Sequence, residues 1–582
     1  MNGAVIRAVA LAAAVGLGLA APAIAAPDAP LSPSSVAITL QPGPSDAGHL
    51  VPYIDVTVVA SGLATGAHAP LLSMPLVLSN TVTKANELQN LAVQDLDGPL
   101  PLVVTDDPEH GDTFYRHWTA TRATHGDLTL HYRVAITNAL PPRGAAPPLD
   151  LRTDDDGFGG LAGTFLILPE STAPGRVFVH WDLSRMPSGA TSLSSFGPGD
   201  IQRDKITIDQ LAHVYFMAGE IGLYPNPSAR SGFDSAWEGK PGFDAQELMV
   251  WTANLYTNYV KFFEGDPRDL FVVFLRNNLV NAGGGFELGN AFIGSYGANV
   301  TAENFRFALA HEMVHGFVHT LDGPPGSDLA NSWFAEGTAN FYSWRLMLRF
   351  HKMSDLEYMN EINGGAAVYY TDIFRNAPNA AIPAGFWKDS RIRLLAYYRS
   401  PMYFAKVDKE MRDTSGGKRS LDDLLMEMLA RRRSGRPMDE AAWIDVVTKA
   451  LGPQAREEYR AFSAGALIVP DSDAFGPCYR RVVGQLRRYD VGFSPEVLTE
   501  PRRIVRNLVP GSNAEAAGLR NGDEIVKPVP QDVLQLDQKA TETLQIRRDG
   551  KTFAITYLPR GELVDAYQWE RVPDVPADKC AL

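Results

Sequence analysis

Cysteine is almost missing from this chain: 582 residues contain two, Cys478 and Cys580. Neither lies near the N-terminus, so no lipid-anchor signal accompanies the apolar start. That start, AVALAAAVGLGLA after Arg7, is too short for a membrane-spanning helix. No long basic run occurs and the net charge is −14, which makes nucleic acid and anionic membrane surfaces poor partners. No internal repeat is evident. What remains is an ordinary globular composition, with 45% hydrophobic and 21% charged residues, in a chain long enough for several domains.

The first 25 residues read as a targeting segment. Arg7 supplies the positive n-region, the apolar run follows, and Ala23-Ile24-Ala25 fits a small-residue cleavage site. The mature chain is expected in the periplasm or secreted. In such an oxidising compartment Cys478 and Cys580 are expected to form one bridge closing the C-terminal region.

The chemistry lies in two segments, HEMVH at 311–315 and WFAEGTANFY at 333–342. On a helix, residues i and i+4 share a face, so His311 and His315 can point at one metal ion. Glu312 sits on the adjoining flank, within reach of a metal-bound water. Glu336 follows His315 by 21 positions, and the turn-rich stretch between them lets a second helix fold back on the first. A catalytic zinc site uses three protein ligands and keeps a fourth position open. His311, His315 and Glu336 are thus the expected Zn2+ ligands and Glu312 the general base and acid. His319 is excluded as third ligand, being about 12 Å from His311 along a straight helix. The histidine that a metzincin pattern needs ten residues after the first is Leu321 here.

Residues 27–48 are rich in Pro, Ala, Ser and Gly and read as a flexible start. From 36 to 205 short β-rich runs dominate: HLVPYIDVTVVASG, LTLHYRVAI, GTFLILPE and RVFVHWDL. From 206 the texture turns to helix (FDAQELMVWTANLYTNYVKFF), strand (LFVVFLR) and a glycine-rich edge strand (NAGGGFELGNAFIGSYG). The region from Leu346 to about Ala464 is mainly helical, and SLDDLLMEMLARRR should be capped by Ser420. The C-terminal region returns to strands, YDVGFS, RIVRNLVPG, DEIVKPV and ETLQIRRDGKTFAITYL, with a hairpin turn at Asp549-Gly550.

HEMVH with WFAEGTANFY resembles the glycyl aminopeptidase family, metallopeptidase family 61, a group of gluzincins. The resemblance implies a multidomain α+β chain over nearly the whole mature length. Its expected parts are a signal peptide (1–25), a β-rich N-terminal domain (36–205), a thermolysin-like, mostly helical zinc peptidase domain (206–476) and a C-terminal β-barrel-like PDZ domain (478–570). GGGFELGN is similar to the family's amine-binding segment, which implies Glu287 as reader of the substrate's α-ammonium. AYYRSPMYF is similar to its tyrosine segment, with Ser400-Pro401 in place of Lys-Gly, and implies Tyr398 as the oxyanion residue with Tyr397 as fallback. VPGSNAEAAGLRNGDEI, with Gly518 and Gly522 at turns, resembles a PDZ segment, and Val491-Gly492-Phe493 resembles its carboxylate-binding loop, which would hold a peptide C-terminus. The expectation is a zinc aminopeptidase acting on peptides. The alternatives are a zinc endopeptidase or a catalytically weak peptide-binding PDZ protein.

Overall fold

The structure, a computed structural model, describes residues 35–139, 141, 147–278, 282–298, 300–324, 327–500, 502–527, 529 and 531–582. The targeting segment lies outside the described residues.

Alternation builds the N-terminal part. Ser35–Pro42 and Tyr53–Ser61 bury every second side chain, as a strand with one face on a core must. They sit in a seven-stranded sheet that also holds Leu88–Asp95, Leu128–Ala135, Gly175–Trp181 and Ile201–Ile206. A second sheet around Pro70–Leu78 and Phe114–Ala120 shares its apolar core. GTFLILPE is the exception among the β-rich runs. It forms a 3-10 turn at Ala162–Thr164 and pairs only at Leu168–Pro169. Its run at 165–168 is apolar throughout, so no alternation set its conformation.

The texture change at 206 proves local. Thr207 caps a five-residue helix, Ile208–Ala212, through a reciprocal box with Gln210. The chain then returns as Tyr215–Gly219 to a third, antiparallel sheet with Arg152–Asp154, Gly157–Leu161 and Thr191–Ser194. A separate apolar cluster joins this sheet to the catalytic one, with Leu161, Leu193, Tyr215 and Met217 against Val272, Phe274 and Ile293.

The catalytic sheet runs Gly222–Tyr224, Phe233–Trp237, Phe271–Asn277, Ala291–Tyr296, Gly285–Glu287. Its three central strands are parallel, and Gly285–Glu287 is the antiparallel edge. The helices Ala245–Phe262, Ala302–Val318, Ser332–Arg349, Asp355–Thr371, Ser390–Ser415 and Leu421–Arg433 share one large core with the sheet. Buried Arg345 bonds Asp408 at 2.8 Å, Arg349 bonds Asp422 at 2.9 Å, and the Leu421 amide donates to Asp408, so charge ties three of these helices together. Ser420 caps Leu421–Arg433 with Asp423 as its reciprocal partner.

At the C-terminus the expected 478–570 unit divides. Tyr479–Tyr489 and Arg560–Arg571 form a long two-stranded ribbon packed on Asp355–Thr371, and Asn363 makes paired bonds with the Trp569 backbone. Cys478 and Cys580 are bridged and fully buried at the foot of this ribbon. Between the ribbon strands lies a smaller module whose own core runs from Tyr489 to Tyr557, with a four-stranded sheet. Its hairpin Glu542–Arg548 and Lys551–Tyr557 turns at Asp549-Gly550, both with positive φ, as a tight two-residue turn requires. Gly518 and Gly522 also have positive φ. YDVGFS does not continue as a strand. The Gly492 amide donates to Asp490 Oδ1 at 2.8 Å, and Pro495–Thr499 is a 3-10 turn. That amide is therefore taken up within the chain, and the stretch that would pair with a peptide strand is not extended.

Candidate active site

Thr301 starts the metal helix, Ala302–Val318, in a capping box with Asn304. The preceding strand, Ala291–Tyr296, delivers the chain to this point from inside the sheet, next to the edge strand Gly285–Glu287. His311 and His315 sit one turn apart and face Ser332–Arg349, which presents Glu336. His311, Glu312, His315 and Glu336 are all buried.

The three donor atoms converge. His311 Nε2 lies 3.1 Å from His315 Nε2 and 3.2 Å from Glu336 Oε2, and His315 Nε2 lies 3.4 Å from the same oxygen. A tetrahedral zinc site with bonds of about 2.0–2.1 Å has ligand–ligand edges of about 3.3 Å. Two ring nitrogens and a carboxylate oxygen at this spacing fit one zinc ion. They form the one such cluster of metal-binding side chains among the described residues.

Asn340, one turn past Glu336, sets the histidine. Its Oδ1 accepts from His311 Nδ1 at 2.8 Å, which leaves Nε2 free for metal. Its Nδ2 donates to the Tyr397 carbonyl at 2.7 Å. That carbonyl is free because of Pro401. A proline inside Ser390–Ser415 has no N–H to return to residue 397. The Ser400-Pro401 departure thus supplies an acceptor that fixes which way the Asn340 amide points. Asn340 was within the quoted segment but carried no assignment. Its i+4 spacing from Glu336 was the available signal.

Three further polar atoms at the site are sealed from solvent without a partner: Glu312 Oε2, Glu287 Oε1 and the Tyr397 hydroxyl. Burial raises Glu312 to about 8 and Glu287 to about 7. Burial also works to raise Glu336, but His315 and His311 hold it down at about 2. Burial opposes charge on His315, yet Glu336 lifts it to about 9. Glu287 sits on the edge strand opposite Phe292, and the charges of His315 and Glu336 both act on it.

Of the two adjacent tyrosines, Tyr397 lies beside the metal cluster and Tyr398 does not. The Tyr397 ring stacks on His311 with centroids 5.9 Å apart and planes 15° apart. Burial holds its hydroxyl well above the usual range, and Glu336, Arg393, Glu312 and Asp532 are the charges that act on it. Tyr398 faces the other way, against Gly365 on the neighbouring helix, where an added Cβ would lie 2.7 Å from its ring. Neighbouring helix positions differ by about 100°, so only one of two adjacent tyrosines can face the metal. His319 ends the metal helix with φ of 57° and stays outside the cluster. It lines a cavity of about 840 Å³ shared with Gly289, Gly316 and Arg432.

No protein-family model matches the sequence, and no match is found among curated proteins. Solved structures do match. An aminopeptidase N family protein from Idiomarina loihiensis shares the architecture over 94% of this chain and 99% of its own, with a TM-score of 0.63 and 14% identity. An M1 zinc metallopeptidase from Deinococcus radiodurans aligns over 76% of this chain and 97% of its own, with a TM-score of 0.43 and 17% identity. The likeness is one of fold, and the cluster of His311, His315 and Glu336 is consistent with a catalytic zinc site on it. The resemblance to metallopeptidase family 61 is corrected by the same findings: the architecture matched is that of an aminopeptidase N family protein. HExxH with a downstream glutamate is a ligand arrangement shared by gluzincins generally, so those residues did not discriminate between families.

Proposed function

We propose that this protein is a zinc aminopeptidase that removes single residues from the N-termini of peptides. The observation that carries the reading is the set of three orphaned polar atoms, Glu312 Oε2, Glu287 Oε1 and the Tyr397 hydroxyl, around one ligand cluster. Zinc held by His311, His315 and Glu336 would polarise the scissile carbonyl and supply a water of pKa about 7. Glu312 takes the proton of the attacking water and passes it to the leaving amine. The Tyr397 hydroxyl donates to the carbonyl oxygen as that oxygen gains charge. Glu287 accepts the substrate's α-ammonium, which sets the cut one residue from the terminus. The alanine-rich leader and small-residue cleavage site support a periplasmic or secreted location. The turn-rich VPGSNAEAAGLRNGDEI segment and separate core support a PDZ-like identity for the C-terminal module.

Paired peptides, one N-acetylated, test the reading. The free peptide should be trimmed and the acetylated one left intact. Glu287→Ala should raise KM for free-amine substrates by about one to two decades, the worth of a charge-assisted hydrogen bond of about 1.5–3 kcal/mol. Efficient cleavage of the acetylated peptide would sink the assignment and establish an endopeptidase.

A further inference from the structure

The C-terminal module touches the catalytic part beside the tyrosine. Its short helix Gln531–Leu536 packs on both Asp355–Thr371 and Ser390–Ser415. Arg393 Nη2 donates to both carboxylate oxygens of Asp532, at 2.6 and 2.7 Å. The two side chains keep only 17% and 14% of their exposure, so solvent screens this pair less than a surface one. Ser390 Oγ completes the contact, donating to Gln531 and accepting from Gln535 Nε2 at 2.9 Å.

Arg393 precedes Tyr397 by four residues, so the two share a helix face about 6 Å apart along the axis. The charges of Arg393 and Asp532 both act on the Tyr397 hydroxyl. The segment between Asp389 and Ser400 needs such a hold. Pro401 removes the ladder bond that would join Tyr397 to the next turn, and prolines are where helices bend. The carbonyl side of Tyr397 is held by Asn340, and the turn before it by Asp532.

The holding element is itself fixed. Leu534 belongs to the module's core, while Leu536 packs on the catalytic core. Buried Arg560 donates from Nη2 to the carbonyls of Leu534, Gln535 and Asp537. Arg560 pairs with Tyr489 where the ribbon enters the module. The helix is thereby tied to the ribbon, and the ribbon to the catalytic core.

We propose that Arg393 and Asp532 form a positioning clamp through which the C-terminal module holds the Tyr397 hydroxyl at the zinc site. This rests on the reading of Tyr397 as the oxyanion donor. Arg393 and Asp532 are positioning residues that act through the tyrosine. The module then serves turnover directly, and is more than an adaptor beside the enzyme.

A mutant cycle in the full-length, zinc-loaded enzyme tests this. Asp532→Asn should lower kcat about tenfold while KM stays within twofold and zinc content is unchanged. The reversed pair, Arg393→Asp with Asp532→Arg, should recover kcat to within threefold of the native enzyme. In a Tyr397→Phe background, Asp532→Asn should change kcat by less than twofold. Asp532→Glu keeps the charge and should retain at least half of kcat, an arm that remains open if the asparagine variant does not fold. The clamp is overturned by an unchanged kcat in Asp532→Asn, by an effect on KM alone, or by a tenfold loss that persists without the tyrosine hydroxyl. A Tyr397→Phe enzyme of native activity would instead overturn the oxyanion reading, whatever Asp532 does.

Discussion

At the scale of single residues, the site separates holding a metal from moving a proton. Glu336 contacts both histidines, whereas Glu312 Oε2 has no hydrogen-bond partner in the protein. Glu336→Ala should therefore lose most zinc. Glu312→Gln should keep about one zinc per chain and lose turnover by at least the 10²–10⁴-fold typical of general acid–base catalysis. Metal analysis beside single-substrate kinetics separates the two, and a fully active Glu312→Gln would refute the mechanism. The ligands were legible because helical spacing alone brings His311 and His315 to one face. Tyr397 was harder. Two adjacent tyrosines carry the same chemistry, and the choice between them rests on distant partners, Gly365 behind one and His311 in front of the other. Asn340 was legible in spacing, but the proline-freed carbonyl that orients it belongs to another helix 57 residues away in sequence.

At the scale of elements, the glutamate helix and the tyrosine helix meet at a notch. A Cβ on Gly337 would lie 2.4 Å from Ser400 Cβ and 3.0 Å from Phe404. Gly337→Ala gains up to about 1 kcal/mol of helix propensity. Overpacking a tight contact typically costs about 1–3 kcal/mol, and both helices here are pinned by the Arg345–Asp408 pair. The steric term should win, with thermal unfolding shifted down by a few degrees and kcat reduced as Glu336 and Tyr397 separate. A melting temperature at or above the native value would show that the helices yield freely. Elements with strong period, such as Ala245–Phe262 and Tyr53–Ser61, were legible from the chain. GTFLILPE was not, because its apolar run does not alternate, and YDVGFS was not, because Gly492 takes a positive φ and its amide bonds back to Asp490 despite the alternation.

At the scale of the molecule, Tyr215–Gly219 pairs with strands of the N-terminal part, and beyond 478 the ribbon packs on the large core while the small module keeps its own. The bridge was legible from the chain's two lone cysteines and the oxidising compartment expected for it, and it joins residues 102 apart. In the chain-entropy model a loop of that size contributes about 4.7 kcal/mol. Both sulfurs are buried, and Arg349 holds the chain end by a 2.7 Å bond to Leu582 O. Thiol reagents should leave the native protein unlabelled. Cys478→Ala with Cys580→Ala should lower the unfolding temperature of the catalytic part without displacing zinc. Ready alkylation of either native thiol would contradict the structure.

Because the module sits between two strands of one ribbon, with the bridge below both, it cannot be shed by one cut. One exposed place for a protease is the Asp549-Gly550 tip of the hairpin. Cleavage there severs the backbone, yet the two fragments remain joined covalently through Cys478 and Cys580 and paired from Tyr479 to Arg571. The Arg393–Asp532 contact lies on the N-terminal side of the cut, in the fragment that already carries the metal ligands. A nicked molecule would thus keep every group of the site on a single piece of chain. Damage to the module's outer hairpin and loss of activity are, by this arrangement, uncoupled events.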